Sequence, residues 1–204
     1  YPSRTAAIQW GADFDGRARE FVTPASTGKP QLLQVGILEP RKNQALTLEA
    51  CDSLWNKGID FHLHFAGRAN PHFSKPIVDS INKLRSNGRP LTWHNSPNEN
   101  DLRNLYANAD LCIFPSIAEG CGLPVLEALW TGRPVLASNL PCILENSSYG
   151  GVAQFDLTDP ESLTNQIQKI LKHPQELKRL TEQASEAQLP TWRETTSALM
   201  QYLT

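Results

Sequence analysis

The sequence is short of the features that would take it out of the ordinary globular class. It holds four cysteines, Cys51, Cys112, Cys121 and Cys142, and none forms a Cys-x-x-Cys pair. The closest two, Cys112 and Cys121, do not have zinc-knuckle spacing. Scattered thiols in a chain of 204 residues read as reduced packing residues of a cytosolic protein. No apolar run approaches the roughly 18–20 residues that a membrane span needs. No signal-peptide core opens the sequence. Charge of one sign is not in excess: 19 Lys and Arg stand against 21 Asp and Glu, a formal net charge of −2. That balance excludes a broad basic surface for gripping a nucleic-acid backbone, while leaving room for a local cationic site. Gly (12) and Pro (15) fall well short of a low-complexity composition. What the chain does have is 40% hydrophobic residues, enough for a substantial core, and a length that suits one domain.

Residues 1–30 carry scattered Gly and Pro without a period and read as a linker or irregular edge. A rhythm begins at Gln31. Short apolar runs at 31–35 (QLLQV), 60–66 (DFHLHFA), 90–94, 111–114 (LCIF), 134–137 (PVLA) and 152–155 predict strands. Between them, helical patterns run from Asn43, the expected cap, to about Lys57, and over 74–85, 99–107 and 122–131. From Asp159 the chain reads as helical, interrupted at Pro174 and Pro190. Alternation of this kind predicts an α/β fold: a Rossmann-like parallel sheet with helices on both faces. Ligands of such sheets sit beyond the carboxyl ends of the strands, so the loops after Val35, Phe65, Phe114 and Ala137 are where chemistry is expected.

The densest constellation follows the run LCIF: Pro115-Ser-Ile-Ala-Glu119-Gly120-Cys121-Gly122-Leu123-Pro124-Val-Leu-Glu127-Ala128. Gly120 and Gly122 permit close backbone approach, and Pro124 suits a first helical turn. The N–H groups of Gly122 and Leu123 would point out of that helix start, which attracts phosphate. Glu127 lies one turn in on the face of Leu123 and leans back toward the helix start. Glu119 stands on the loop just before it. Carboxylates repel phosphate but accept hydrogen bonds from sugar hydroxyls. A ligand built as sugar, diphosphate and sugar would satisfy the helix end and both glutamates. The alternative is a solvated Gly-rich turn flanked by surface glutamates. Positive charge for a diphosphate is available after the first strand, in Gly36-Ile-Leu-Glu-Pro-Arg41-Lys42-Asn43. Two cations just before a helix oppose its dipole, which argues for a use other than stability. Arg68, after Gly67, could reach the same cleft. His62 and His64 share a strand face with no third ligand near in sequence, so no metal site is expected. His94 lies near the predicted cleft, and Trp55, Trp130 and Trp192 fall on helices as core residues.

These residues resemble a known family. EGCGLPVLEA, preceded by LCIFPS and followed by LWTGRPVLAS, is similar to the signature of glycosyltransferase family 4, retaining and metal-independent enzymes of the GT-B fold. QVGILEPRKN, FHLHFAGR and NENDLRNLYANADLCIFPS resemble further segments of its C-terminal, donor-binding domain, so the likeness runs almost end to end. The resemblance implies one half of a GT-B fold, divided as an interdomain segment (1–30), a nucleotide-sugar donor domain (31–188) and a closing helix (189–204). By position, Glu127 would bond the ribose hydroxyls and Glu119 the transferred sugar. Backbone at Gly36, Gly120, Cys121, Gly122 and Leu123, with Arg68, would line the donor site. Lys42 and Arg41 would neutralise the diphosphate and stabilise the leaving group. The implied substrate is a GDP- or UDP-linked sugar, with no cofactor, metal or nucleic-acid partner. The implied process is hexosyl transfer, with mannosyl among the candidates, in polysaccharide or glycoconjugate synthesis. The family's N-terminal acceptor domain would be a partner absent from this chain. The expected setting is cytoplasmic, with peripheral association at the inner membrane face through that domain. The chain alone is expected to bind donor weakly and transfer nothing. A non-catalytic nucleotide-sugar binding module is the alternative, and a related phosphorylase or epimerase is a third. Two departures stand out: Ile37 where many members have Arg, and Cys121 where Phe is commonest.

Overall fold

In the structure, a computed structural model, residues 7–14, 16–19, 21 and 28–203 are described, and the rest of the expected linker at 1–30 lies outside them. Six strands form one sheet: β1 (Gln31–Val35), β2 (His62–Ala66), β3 (Leu91–His94), β4 (Leu111–Phe114), β5 (Val135–Ser138) and β6 (Val152–Phe155). Their order is β3-β2-β1-β4-β5-β6, and every pairing is parallel. This is the doubly wound α/β fold the alternating pattern predicts. β4 and β5 are buried at every residue, which is why their sequences are continuously apolar rather than alternating.

Helices α1 (Gln44–Asn56), α2 (Lys75–Ser86) and α6 (Ser162–Lys172) cover one face. Leu48, Leu54, Ile77, Ile81, Ile167 and Ile170 from these helices meet Leu32, Leu63, Phe65, Leu111 and Ile113 of the sheet in one core cluster. Helices α3 (Glu99–Asn108), α4 (Leu123–Trp130) and α5 (Pro141–Ser147) lie on the other face. There Tyr106, Val125, Leu129 and Ile143 pack on Leu33, Cys112, Phe114, Val135 and Ala137. The chain closes with α7 (Pro174–Glu186) and α8 (Trp192–Leu203).

Local chemistry accounts for most boundaries. Asn98 caps α3 by accepting from the Asp101 N–H at 2.9 Å, and Glu99 and Asp101 in the first turn complement the helix dipole. Asn43 does occupy the cap position of α1 but makes no side-chain cap bond. It adopts φ 54° to turn the chain out of a 3-10 turn over Pro40–Lys42, a left-handed conformation that asparagine tolerates. Pro174 starts α7 instead of merely ending the helix before it. Helix α5 is an addition to the sequence reading.

The described residues between 7 and 21 form no helix or strand, yet they are firmly attached. The Ala12 N–H donates to Pro190 O at 2.8 Å. The Arg19 guanidinium donates to the carbonyls of Trp130 (3.1 Å), Leu129 (2.7 Å), Ala184 (2.6 Å) and Ala187, the last carbonyls of α4 and the end of α7. Trp55 and Trp130 are buried as expected, whereas Trp192 is 37% exposed and meets Trp10 edge-on at 5.4 Å. All four cysteines are free. Cys51 and Cys112 are core residues, and burial pushes the Cys112 thiol up to about 12. Cys121 and Cys142 are instead half-buried and adjoin the glycine-rich loop.

Candidate functional site

The direction of winding reverses between β1 and β4, so a crevice must open beyond their carboxyl ends. The two loops that leave those ends are 36–43 and 115–122, which hold most of the residues singled out by sequence.

The first loop is shaped by tight glycine packing. A Cβ on Gly67, at the end of β2, would fall 2.1 Å from the Gly36 carbonyl oxygen. A Cβ on Gly36 would press at 3.3 Å on the Lys42 side chain. The Lys42 stem is laid along this glycine, and its carbonyl is held by Gln34 Nε2 at 2.7 Å. Lys42 is therefore 7% exposed, an unusual state for a lysine. Its ammonium lies 5.1 Å from the centre of the Phe114 ring and donates to Glu119 Oε1 at 2.7 Å. Arg41 donates to the same oxygen at 2.9 Å, to Ala118 O at 3.1 Å and to Glu39 Oε1 at 2.8 Å. The Ile117 N–H donates to Arg41 O at 3.0 Å, joining the loops by backbone as well.

The second loop is pinned from below by α5. Asn146 Nδ2 donates to Cys121 O at 2.8 Å, and the Cys142 thiol lies 3.6 Å from Glu119 O. Ser138 Oγ holds Ser116 O at 2.7 Å. Gly122, at φ 72°, precedes α4 as its N-cap, and a Cβ there would strike Ile143 at 2.6 Å. Gly120 faces open space, and no atom comes within 4 Å of where its Cβ would be. Leu123 opens α4 with Pro124 behind it, and no side chain caps the helix. The positive end of that helix is thus directed at the crevice.

Glu127 leans back from α4 and accepts a 2.8 Å hydrogen bond from the Tyr106 hydroxyl. Burial raises its carboxyl above the usual range, against the opposing pulls of the Tyr106 hydroxyl and the Lys42 ammonium. Burial, and then the Glu127 charge, push the Tyr106 hydroxyl well up, so it stays a donor. Tyr106 is 1% exposed and lies within the helix predicted over 99–107. Its signal was a hydroxyl on an otherwise apolar buried face.

Gly36, Arg41, Lys42 and Glu119 therefore meet in one cluster, with Gly120 to Leu123 beside it and Glu127 one helical turn behind. Arg68 is exposed on the rim, its carbonyl accepting from the Leu38 N–H at 2.9 Å. One expectation is changed in form. Both cations expected to face a diphosphate are taken up by Glu119, the carboxylate expected to face a sugar. Among the described residues no cluster of three acidic, thiol or imidazole side chains could hold a metal.

A parallel sheet wound in this order, with a cationic loop and a bare helix start meeting at its switch point, is a Rossmann-like α/β domain whose crevice suits an anionic ligand. Residues 17–187 match the family described as glycosyl transferases group 1, and the chain belongs to that family. It is 33% identical over 147 residues to the serotype-specific mannosyltransferase WbdA of Escherichia coli, covering 66% of this chain and 17% of that protein. It is 31% identical over 145 residues to the O-antigen chain mannosyltransferase B of Escherichia coli, covering 69% and 36%. The chain thus spans a minor part of these relatives. Among solved structures, Anabaena HepE, determined in complex with UDP and glucose, superposes with a TM-score of 0.74 at 18% identity, covering 86% of this chain and 48% of that one. No described helix is long and apolar enough to cross a membrane.

Proposed function

We propose that this chain is the donor-binding, C-terminal domain of a retaining, metal-independent glycosyltransferase of family 4, which transfers a hexose in polysaccharide or glycoconjugate synthesis. The observation that carries the reading is the meeting of Lys42, Arg41 and Glu119 at the β1/β4 crevice, directly before the bare start of α4. Two cations and a helix N-terminus suit a diphosphate. Two carboxylates at its two ends suit the hydroxyls of a ribose and of a sugar.

In this reading, Glu127 is held by Tyr106 so that its second oxygen accepts from ribose hydroxyls. The diphosphate lies over Gly120 and the first N–H groups of α4. As it enters, Lys42 and Arg41 exchange Glu119 for phosphate oxygens, and the freed Glu119 turns to the hydroxyls of the sugar. When the bond from the anomeric carbon to the diphosphate breaks, the electron pair leaves with the phosphate, an acceptor hydroxyl oxygen bonds the anomeric carbon, and the hydroxyl proton passes to the departing phosphate oxygen. Lys42 and Arg41 then stabilise that charge from positions already set. The acceptor would be supplied by a second domain, and relatives several times longer than the matched region support this. The named mannosyltransferases favour a GDP-linked mannose, and the nucleotide in HepE keeps UDP-sugars as the second candidate.

Calorimetric titration of the chain with GDP, UDP, ADP and their sugar conjugates tests the proposal. One nucleotide is expected to bind, and Glu127→Ala is expected to weaken it. Binding that Glu127→Ala leaves unchanged would remove the ribose role, and no binding by any nucleotide would remove the donor role of this chain.

A further inference from the structure

The face of β2 and β3 away from α1 and α2 carries a row of imidazoles that the crevice does not use. His62 and His64 alternate on β2 and stack at 4.5 Å between ring centres, and His94 of β3 stacks on His64 at 5.3 Å. His64 Nδ1 and His94 Nε2 face each other at 3.1 Å. Their residues are 30 apart in sequence, so only the parallel register of β2 and β3 brings them together.

We propose that His64 and His94 bind one divalent transition-metal ion, of the zinc or copper class, between His64 Nδ1 and His94 Nε2. Two imidazole nitrogens, each about 2.0–2.1 Å from one ion, lie about 2.9 Å apart at a right angle and about 3.3 Å apart at the tetrahedral angle. The observed separation falls between these values.

His64 is oriented as a ligand would be. Its Nε2 bonds Gln31 Oε1 at 2.8 Å. An amide oxygen only accepts, so Nε2 carries the proton and the Nδ1 lone pair faces His94. A carbonyl on the far nitrogen is the usual outer support of a metal-bound histidine. The proton now shared between the rings belongs to His94 Nε2. On binding it passes through solvent to His94 Nδ1, and no net charge is lost or gained by the protein.

The Asp101 carboxylate favours positive charge beside His94. Lys29 opposes a cation from the His62 side. A cavity of about 500 Å³ adjoins the pair, with Asp101, Asn95, Ser96 and Asn104 on its walls to receive the ion's waters. Since no third acid, thiol or imidazole converges there among the described residues, water completes the coordination shell. His62 is turned away, its Nε2 bonded to Thr92 Oγ1 at 2.9 Å.

The test is calorimetric titration of the chain with Zn²⁺ alone, and electron paramagnetic resonance with Cu²⁺ alone. One equivalent is expected to bind, with hyperfine coupling to two nitrogens. His64→Gln and His94→Gln should each weaken binding more than tenfold. Gln31→Ala should weaken it about tenfold, and His62→Gln less than twofold. If His64→Gln does not fold, His94→Gln at the strand end carries the same comparison, and the Cu²⁺ spectrum of the unaltered chain stands by itself. Equal affinity in His94→Gln and the unaltered chain, a loss in His62→Gln as large as in His94→Gln, or a spectrum with one nitrogen or none would overturn the proposal.

Discussion

Two glutamates eight residues apart in sequence live in opposite electrostatic settings. Glu119, on the loop, is met by two cations at 2.7 and 2.9 Å. Glu127, on the helix, is met by a neutral phenol at 2.8 Å. Together with Glu39, the loop group is electrically balanced, so a ligand must compete for its charges. The helix carboxylate is desolvated and aimed, and a ligand adds hydrogen bonds to it without breaking an ion pair. The difference divides the crevice into a part that must rearrange and a part that is already set.

Breaking the loop side should have the largest effect. Lys42→Ala removes a buried charge from the cluster, and nucleoside diphosphate binding should weaken by about 3 kcal/mol, roughly 150-fold in Kd by calorimetry. Glu119→Gln should act in the reverse direction. With its competitor neutralised, the free nucleoside diphosphate should bind about fivefold more tightly, near 1 kcal/mol, while the preference for the sugar conjugate over it shrinks. An unchanged diphosphate affinity would mean that Glu119 does not hold the cations back.

On the helix side, Tyr106→Phe strips the phenol from Glu127. It should lower unfolding stability by about 1 kcal/mol in denaturant titration and weaken nucleotide binding two- to threefold, about half that energy. The smallest effect concerns pH. The fold raises the Glu127 pKa, so its stabilising contribution is full below the ordinary carboxylate pKa and is lost as pH rises through the folded value. Stability of Glu127→Gln should therefore gain on the unaltered chain between pH 4 and neutrality, read from melting temperatures at stepped pH.

Much of this arrangement was legible in sequence. Apolar runs such as LCIF and VLAS mark buried parallel strands by themselves, and the rule that ligands lie beyond strand carboxyl ends points to loops 36–43 and 115–122. What was not legible depends on pairs remote in sequence. Lys42 and Glu119 are 77 residues apart, and Tyr106 and Glu127 are 21 apart. Composition cannot say that a loop cation will be captured by the carboxylate expected to work beside it. Helix α5 has seven residues, too few to establish a period, so the prop beneath the glycine-rich loop was silent. Asn43 looked like a cap because its residue type serves both as a cap and as a left-handed turn, and only the backbone tells these apart.

The two glycines at the ends of β1 and β2 have unequal prospects under mutation. The atom that a Gly67 side chain would strike is a backbone oxygen, and every residue at position 36 carries that oxygen. No second-site change of side chain can therefore relieve it, and a suppressor screen on Gly67→Ala should return only reversions. The atoms opposing a Gly36 side chain belong to the movable stem of Lys42. A shorter residue at 42 would remove that contact, at the cost of the charge that the stem delivers, but the φ of 151° at Gly36 would still strain any side chain placed there. Two glycines of like conformation are thus held by different neighbours: position 67 by backbone alone, and position 36 by its own φ and by the stem of the cation.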